Sequence, residues 1–310
     1  MASTEGPQAE AGETRAGFVA LIGAPNSGKS TLLNALVGSK VSIVSRKVQT
    51  TRALVRGIAV EGEAQIVFVD TPGIFKPKRR LDRAMVTSAW GGAGDADVIA
   101  LLIDARKGLD EEGEGILGRL PELPRPKILI LNKIDAIERS KLLALAASLN
   151  EKLPFAETFM VSALKGDGID RLKRTLAGMM PKGPWLYPED QISDAPLRML
   201  AAEITREKIY ERLHEELPYQ STVETDQWQQ RPDGTVRIEQ TIFVERESQR
   251  KIVLGEGGQT IKAIGQAARR EIAEVAEAKA VHLFLHVKVR ENWGDDPERY
   301  REMGLEFPKG

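Results

Sequence analysis

The chain has 310 residues, which predicts two domains at the usual size of about 100–200 residues each. Apolar residues make up 42% and charged residues 29%, and 44 Lys and Arg nearly balance 45 Asp and Glu; this excludes a disordered chain and a uniformly basic one. The chain has no cysteine, which excludes disulfide frameworks, thiolate metal sites and cysteine nucleophiles and suits a reducing compartment.

Residues 1–16 are small, acidic and polar. They lack the cationic start and the apolar stretch of a secretory signal, so we interpret them as a disordered tail. The longest apolar stretches, such as residues 98–103, have six residues, whereas a membrane-spanning helix needs about 20. The sequence therefore predicts no transmembrane segment.

Residues 17–180 alternate short β-rich apolar runs with helical stretches. The predicted strands are FVALIG, AQIVFVD, DVIALLID and PKILILN, and helices are predicted at residues 29–36 and 141–153. This alternation predicts an α/β domain with a mixed, mostly parallel sheet.

The first predicted strand leads directly into GAPNSGKS at residues 23–30, which opens a helix. This is a complete phosphate-binding loop in its required strand–loop–helix context. Its glycines let backbone N–H groups point at the β-phosphate, Lys29 reaches the β and γ oxygens, and the Ser30 hydroxyl ligates Mg²⁺. The nucleotide-binding residues expected here are Gly23, Ala24, Pro25, Asn26, Ser27, Gly28, Lys29, Ser30 and Thr31.

Two further motifs complete the predicted phosphate and metal site. FVDTPG places Asp70 at the end of a strand, where its carboxylate can hold Mg²⁺ through a water, and the Gly73 N–H can reach the γ-phosphate. QTTR, at residues 49–52, lies in a polar stretch without clear periodicity; Thr51 is the expected Mg²⁺ ligand there and Thr50 the alternative. The other nucleotide-site residues predicted after Asp70 are Thr71, Pro72 and Ile74.

The identity of the base follows from NKID at residues 132–135, after the strand ILIL. Asp135 can accept hydrogen bonds from the guanine N1–H and 2-amino group, which adenine lacks, so the motif predicts GTP and GDP rather than ATP. Lys133 can lie along the purine face, and Asn132 can tie the loops together. SALKG closes the pocket, with the Ala163 N–H directed to guanine O6. Ile134 and Ser162 complete the predicted base site.

GAPNSGKS, QTTR, DTPG, NKID and SA, in this order, resemble the Era-type GTPases among the translation-factor-related small GTPases. Ile74 stands where Ras-like enzymes have a water-orienting glutamine, and its side chain cannot polarise water. In GTPases with an apolar residue there, the asparagine that corresponds to Asn26 can bind K⁺, which supplies the charge of an arginine finger; a loop-shaping role for Asn26 is the alternative. The resemblance implies a slow GTPase with Mg²⁺ and possible K⁺ stimulation. Its expected catalytic residues are Lys29, Asn26, Thr51 and Gly73.

Residues 181–196 contain four prolines and no periodicity, and we interpret them as a linker. The next domain, residues 197–305, begins with a predicted helix at 197–217. The strands STVETDQWQQ and TVRIEQTIFVE follow around an RPDG turn, then helices at 249–254 and 259–278, and a closing strand HLFLHVKVR. The predicted order is α-β-β-α-α-β.

The two later helices are separated by GEGG, in which Gly255 and Gly258 bracket two residues. In KH domains such a GxxG turn lets a nucleic-acid backbone come close, and the whole order resembles the type II KH fold. Residues 246–270 contain six cationic and two acidic residues, in a region that is otherwise acidic. Glu256 departs from the lysine common in the family, which would weaken phosphate contacts. The expected RNA-binding residues are Arg246, Arg250, Lys251, Gly255, Glu256, Gly257, Gly258, Ile261, Lys262 and Arg269.

Other residues leave alternatives open. Trp228, Trp293 and His282 could stack on bases, but each lies on a predicted strand or at its end, so packing in the core or in a turn is favoured. The cationic run KPKRR at residues 76–80 could touch RNA or anionic lipid, or be solvated surface.

The family resemblance, over about residues 17–305, implies a GTPase switch that binds the 3′ end of 16S rRNA and assists maturation of the 30S ribosomal subunit. It also implies a cytoplasmic monomer with some peripheral association with the inner membrane. Two other hypotheses are a GTPase that assists RNA modification through a separate partner and an RNA-binding module with GTP as a structural ligand. The first would be marked by an added modification domain or a carboxy-terminal cysteine, and the sequence shows neither.

Overall fold

A computed structural model of the chain describes residues 14–45, 47–214 and 217–308. The chain divides into two compact units. Among the described residues, the first unit consists of those up to Ser39, Arg56–Asp70 and Gly91–Asp194, and the second of those in Lys40–Val55, Thr71–Trp90 and from Ala195 onward. These units differ from the contiguous domains expected from the sequence, because two segments of the expected GTPase domain group with the carboxy-terminal part of the chain. Most of the predicted tail, residues 1–13, lies outside the described residues.

The first unit is built on a six-stranded sheet with the order β2-β3-β1-β4-β5-β6. Its strands are β1 (Arg15–Ile22), β2 (Val55–Glu61), β3 (Ala64–Asp70), β4 (Val98–Asp104), β5 (Lys127–Asn132) and β6 (Glu157–Val161). The pairs β1–β3, β1–β4, β4–β5 and β5–β6 are parallel. Only two residues connect β2 to its neighbour β3, so this pair must be antiparallel. The sheet is therefore mixed and mostly parallel, as predicted.

Five helices follow strands of this sheet in the chain: α1 (Lys29–Val37), α2 (Arg80–Asp95), α3 (Glu111–Arg119), α4 (Arg139–Lys152) and α5 (Ile169–Met179). Every residue of β3 and β4 is buried, as expected of parallel strands covered on both faces. The four predicted strands and the two predicted helices of this region are confirmed, whereas β2 and β6 were not predicted. Among the described residues, no helix is both long enough and apolar enough to cross a bilayer.

The two ends of the first unit are held by hydrogen bonds. Thr14 donates through its hydroxyl to the Gly183 carbonyl at 2.9 Å, and β1 begins at Arg15, inside the predicted tail. In the proline-rich stretch, the Gln65 side chain accepts from the backbone N–H groups of Leu186 and Tyr187 at 2.8 and 3.0 Å. Residues 181–194 thus belong to the first unit, within the range expected to be a linker.

The second unit contains a three-stranded sheet of β7 (Ser221–Gln230), β8 (Thr235–Val244) and β9 (Ala280–Val289). β7 and β8 are antiparallel, and β8 and β9 are parallel. The helices after the proline-rich stretch are α6 (Leu197–Arg212), α7 (Glu247–Leu254), α8 (Gln259–Val275) and α9 (Pro297–Glu302). The predicted order α-β-β-α-α-β is confirmed, and the short α9 is added at its end.

Helix ends differ from the prediction for local reasons. α6 ends at Arg212 rather than at residue 217, because Leu213 adopts an extended conformation. α8 ends at Val275 rather than at residue 278. There Glu277 has a left-handed φ of 48° and the Ala278 N–H bonds back to the Ala273 carbonyl, a common way to close a helix.

The core of the second unit lies between α6, α8 and one face of the small sheet. Ile204, Ile238 and Ala268 are fully buried in one cluster, and Trp228 packs against it. Trp293 is also buried, and its indole N–H donates to the Gln220 carbonyl at 2.9 Å. Packing roles for these two tryptophans are confirmed. The expectation for His282 was wrong: the strand alternation of β9 leaves it exposed.

The start of α2 and the carboxy-terminal residues form a separate small cluster in the second unit. Met85 packs with Tyr300 and Leu305. In the cationic run KPKRR, Arg80 forms an ion pair with Asp295 at 3.2 Å and lies over the Phe307 ring. Lys76, Lys78 and Arg79, the other cations of this run, are exposed.

Candidate nucleotide site and RNA interface

The phosphate-binding loop connects β1 to α1 in the first unit. Gly28 precedes the helix with a left-handed φ of 100°, and a Cβ atom there would lie 2.3 Å from Asn132 Nδ2. Glycine is therefore required at this position both by the backbone and by the neighbouring loop. Asn26 is also left-handed, with a φ of 63°. The loop leads into the amino-terminal end of α1, where an anion is favoured.

Lys29 is 6% exposed and bends across this loop. Its ammonium donates to the carbonyl oxygens of Gly23 and Ala24 at 3.1 and 3.0 Å. Burial lowers the pKa of Lys29 to about 8, although the Asp70 carboxylate opposes this shift. A polyanion beside the ammonium would restore the pKa, because an opposite charge favours the protonated form. Lys29 is therefore suited to bind phosphate oxygens.

A hydroxyl and a carboxylate meet at the start of α1 and the end of β3. The Ser30 hydroxyl donates to Asp70 Oδ2 at 2.6 Å, and Asp70 is fully buried. Oxygen ligands of this kind, one hydroxyl and one carboxylate beside a phosphate loop, are those that Mg²⁺ prefers in nucleotide sites. The predicted metal ligands Ser30 and Asp70 are thus brought together in the first unit.

Asn132, at the end of β5, ties three loops of the first unit together. Its Nδ2 donates to the Ser27 carbonyl at 3.0 Å, and its Oδ1 accepts from the Lys133 and Ala163 N–H groups at 2.8 and 3.1 Å. These hydrogen bonds connect the loops in the way predicted for Asn132. The Ala163 N–H was predicted to donate to guanine O6; in this structure it donates to Asn132 Oδ1.

Asp135 and Ser162 lie together at the predicted base site. The Ser162 hydroxyl donates to Asp135 Oδ1 at 2.7 Å, and this hydrogen bond lowers the pKa of Asp135. The carboxylate is thereby held ionised, with its remaining lone pairs available to accept from two donors of a base edge.

The other expected nucleotide-site residues are divided between the two units. Pro25, Thr31 and Ile134 belong to the first unit. Thr51 and residues 71–74, which include Gly73 and Ile74, belong to the second unit and are buried there. The structure therefore assigns Thr51 and Gly73, two of the four expected catalytic residues, to a different unit from Lys29 and Asn26.

In the second unit, the GxxG turn joins α7 to α8. Gly255, Gly257 and Gly258 have φ values of 71°, 56° and 77°, a left-handed region that favours glycine. A Cβ atom at Gly257 or Gly258 would meet nothing within 4 Å. Glycine is needed at these two positions for backbone conformation, and the turn leaves open space on its outer side.

Cationic side chains surround this turn unevenly. Lys251, Lys262, Arg246 and Arg269 are exposed. Arg250 is half-buried and already paired, since it donates to Glu247 Oε1 at 2.8 Å and to the Val287 carbonyl of β9 at 3.2 Å. Among the described contacts, these four exposed side chains have no ion pair that binding a phosphate would break. Glu256 is exposed within the turn and Ile261 is half-buried beside it.

Family models match both parts of the chain. A 50S ribosome-binding GTPase model matches residues 18–133, and a KH domain model matches residues 216–294. GTPase Era of Afipia carboxidovorans is 72% identical over 303 residues, covering 98% of each chain, and GTPase Era of Brucella suis is 67% identical over 306 residues, covering 99% of this chain and 98% of that one. The chain belongs to the Era family of GTPases.

Two solved Era structures are similar to the chain over nearly its whole length. One is an Aquifex aeolicus Era variant bound to GDP·AlF₄⁻; the other is Era in complex with MgGDPNP and nucleotides 1506–1542 of 16S ribosomal RNA. Each has a TM-score of 0.89 and 41% identity, and the match covers 94% of this chain and 99% of that one. The predicted Era-type fold, a P-loop GTPase domain followed by a KH domain, is confirmed.

Sequence reasoning missed Asp104, which contacts Lys133 of the predicted base site. It accepts from Lys133 Nζ at 2.8 Å and from Arg106 Nη2 at 2.8 Å. Burial opposes the charged form, but the hydrogen bonds from Arg106 and Lys133 outweigh it and lower the pKa of Asp104 from 3.8 to about 2. The signal was present: like Asp70, Asp104 ends a buried parallel strand, and such ends share one edge of the sheet.

A second missed residue is Ile252, on α7 one turn before the GxxG glycines. This apolar side chain is 55% exposed. An exposed apolar side chain beside a phosphate-accepting turn can pack against an unstacked base. In the sequence, only the closeness of Ile252 to the GxxG turn indicates this role, because an apolar residue at its position in a helix is equally typical of the core.

Proposed function

We propose that the chain binds GTP and GDP through the first unit, with Mg²⁺, and hydrolyses GTP by transfer of the γ-phosphoryl group to water. The observation that carries this proposal is the buried Lys29 beside the Ser30–Asp70 pair, at the amino-terminal end of α1. The GDP·AlF₄⁻ and MgGDPNP ligands of the two similar Era structures support it.

The residues of the proposed site have distinct parts in this reaction. Lys29 and the loop N–H groups stabilise negative charge that develops on the phosphate oxygens. Ser30 ligates Mg²⁺ directly and Asp70 does so through a water, with Thr51 as the further proposed ligand; the metal supplies charge neutralisation of the β- and γ-oxygens. Asp135 selects guanine through two hydrogen bonds. Ile74 cannot orient water, so turnover is slow.

K⁺ stimulation through Asn26 is the finer part of the proposal. The left-handed Asn26 has its carbonyl bonded by Lys133 Nζ at 2.5 Å, which fixes the backbone from which its side chain projects. We expect faster GTP hydrolysis in K⁺ than in Na⁺ at equal ionic strength, and loss of that difference in Asn26→Ala. An Asn26→Ala variant that still responds to K⁺ would leave Asn26 with the loop-shaping role.

The test of the hydrolysis proposal is phosphate release from GTP with and without Mg²⁺. Ser30→Ala should lose Mg²⁺-dependent turnover, whereas Ser39→Ala, an exposed serine just after α1, should behave as wild type. Hydrolysis by Ser30→Ala at the wild-type rate would reject the metal site. No turnover by the wild type in any salt would favour an RNA-binding module that uses GTP as a structural ligand.

For the second unit, we propose binding of single-stranded RNA along the GxxG turn and the exposed cations beside it. The 16S rRNA fragment bound by the similar Era structure supports the 3′ end of 16S rRNA as the ligand, and hence a role in 30S maturation. A cytoplasmic monomer with peripheral inner-membrane association stays a prediction from the family resemblance. The same holds for the domain boundaries at residues 17–180 and 197–305.

The RNA proposal is tested with a short single-stranded RNA that matches the 3′ end of 16S rRNA, at fixed salt, with GDP and with a non-hydrolysable GTP analogue. Tighter binding with the analogue would establish coupling between the nucleotide and RNA sites. Gly258→Asp should weaken binding by repulsion of phosphate. The matched control is Gly234→Asp in the β7–β8 turn, at a similar φ of 81°. Unchanged affinity in a folded Gly258→Asp variant would reject the interface.

A further inference from the structure

The segment that contains Thr51 is an integral part of the second unit. Thr51 is 8% exposed, and Ile43, earlier in the same segment, is buried in the core cluster of α6 and α8. The Val44 N–H donates to Glu207 Oε1 of α6 at 2.6 Å. The loop that carries Thr51, the metal ligand expected from the sequence, is here fixed by residues more than 150 positions later in the chain.

Arg206 of α6 fixes the residue just before Thr51. Its guanidinium donates to the Thr50 carbonyl and forms an ion pair with Glu203. The Arg206 side chain is 1% exposed. Burial opposes its charged form, but the Glu203 carboxylate outweighs this and raises the pKa of Arg206. A charged planar donor is therefore held in place against the Thr50 backbone.

Arg52 fixes the residue just after Thr51. Its Nη1 donates to the Ser221 carbonyl at 2.9 Å, and its Nη2 to the Tyr219 carbonyl at 3.1 Å and the Tyr210 hydroxyl at 3.2 Å. The guanidinium also lies 5.4 Å from the centroid of the Trp293 ring. Such a set of acceptors uses most of the guanidinium donors, so the Arg52 backbone has little freedom to move.

A third contact anchors the segment further from Thr51. The Lys47 ammonium donates to the Tyr210 and Leu213 carbonyls at the carboxyl end of α6. These carbonyls have no partner within the helix ladder, and a cation is favoured at that end by the helix dipole. Lys47 is half-buried, so its removal disturbs less of the core than removal of Arg206 does.

We propose that Arg206 and Arg52 are positioning residues for GTP hydrolysis, which hold the Thr50 carbonyl and the Arg52 backbone so that the Thr51 hydroxyl is presented in one orientation. This rests on the proposed function, in which Thr51 is a Mg²⁺ ligand. Neither arginine contacts the substrate in this proposal; both act through Thr51. Supporting residues of this kind set the precision of a metal ligand. In the QTTR motif, the proposed ligand Thr51 is then followed directly by Arg52, the residue that anchors it.

The test uses the full chain with Arg206→Met, which keeps an apolar side chain and removes the donors. We expect the single-turnover rate at saturating GTP to fall about 10- to 100-fold, and the Mg²⁺ concentration for half-maximal rate to rise. The affinity for GDP should stay at the wild-type value, because Lys29 and Asp135 belong to the first unit. Arg212→Met, on the same helix but more exposed, is the matched control.

Lys47→Met and Thr51→Ala complete the test. Lys47→Met should shift the Mg²⁺ dependence in the same direction with a smaller fall in rate, and it decides the question if Arg206→Met does not fold. A wild-type rate and Mg²⁺ dependence in folded Arg206→Met, or in Lys47→Met where the former does not fold, would overturn the positioning role. A wild-type rate in Thr51→Ala would instead reject Thr51 as a metal ligand, and the inference with it.

Discussion

The two glycine-rich turns of the molecule both precede a helix, but their surroundings differ. In the phosphate-binding loop, Asn132 bonds the Ser27 carbonyl, and a side chain at Gly28 would strike it. In the GxxG turn, Gly257 and Gly258 have open space around the position of a Cβ atom. The first turn is braced by neighbouring loops and suits one small ligand of fixed shape. The second is open and suits a flexible polyanion.

The largest expected effect comes from changing the base contact of the nucleotide site, which should affect nucleotide binding and leave RNA binding unchanged. Asp135→Asn removes the charged acceptor that is held by Ser162, so that one guanine donor loses its partner. A site built around hydrogen bonds discriminates strongly against such a mismatch, and we expect the affinity for GDP, as for GTP, to fall at least about 100-fold. Titration calorimetry with GDP measures it. RNA affinity in the absence of nucleotide should not change, and retained GDP affinity would mean that Asp135 does not read the base.

A second substitution separates bracing from backbone strain. Gly28→Ala meets both a left-handed φ and the Asn132 amide, whereas Gly38→Ala at the other end of α1 meets only a left-handed φ of 80°. The strain alone costs about 1–2 kcal/mol at either position. We expect both variants to lose stability, and only Gly28→Ala to lose GDP affinity, by about 10- to 100-fold.

Equal GDP affinities in these two variants would show that the loop relaxes around the added methyl group. The contrast between the braced and the open turn would then rest on the glycine backbone alone. Thermal unfolding of each variant gives the stability change and confirms that the fold is intact.

The ion pair that holds Lys133 can be tested through pH. Asp104 has its pKa lowered from 3.8 to about 2, so its contribution to stability is present above pH 3.8 and is lost as the pH falls toward 2. The shift corresponds to about 2 kcal/mol. We expect Asp104→Asn to lower the free energy of unfolding by about that amount at pH 7, and less at lower pH. A difference that is constant from pH 7 down to pH 2 would contradict the shift.

How far the sequence predicts this molecule depends on how local the signal is. The strands AQIVFVD and DVIALLID were predicted because they are buried along their whole length. The two missed strands, β2 and β6, are the two edges of the six-stranded sheet, and β6 has the mixed exposure that hides a strand from a hydrophobicity pattern. The GTPase motifs were readable for the same local reason.

Long-range contacts were beyond such reasoning. The QTTR loop reads as a GTPase element, and nothing near it in the sequence indicates that Arg206, 156 positions after Thr50, would bond its backbone. Asp104 likewise has no motif of its own. Its partner Arg106 is only two residues away, whereas its partner Lys133 becomes visible only when β4 and β5 are paired, with Asp104 opposite Asn132.

The smallest expected effect tests the open turn. Glu256 is exposed within GxxG, so Glu256→Lys replaces repulsion of a phosphate by attraction. Exposed charge pairs contribute little, and we expect RNA affinity to rise about threefold at low salt. The slope of log affinity against log salt should steepen by about 0.7 if one more phosphate is neutralised.

The matched control for this change is Glu277→Lys, an equal charge reversal just beyond α8, at an exposed residue with a φ of 48°. Because exposed charges farther apart than about 10 Å are screened at 0.1 M salt, a distant reversal changes RNA affinity less than one within the turn. If both variants bind RNA equally tightly, the net charge of the second unit sets the affinity. If only Glu256→Lys binds more tightly, the open turn itself contacts the RNA backbone, which an unbraced pair of glycines permits.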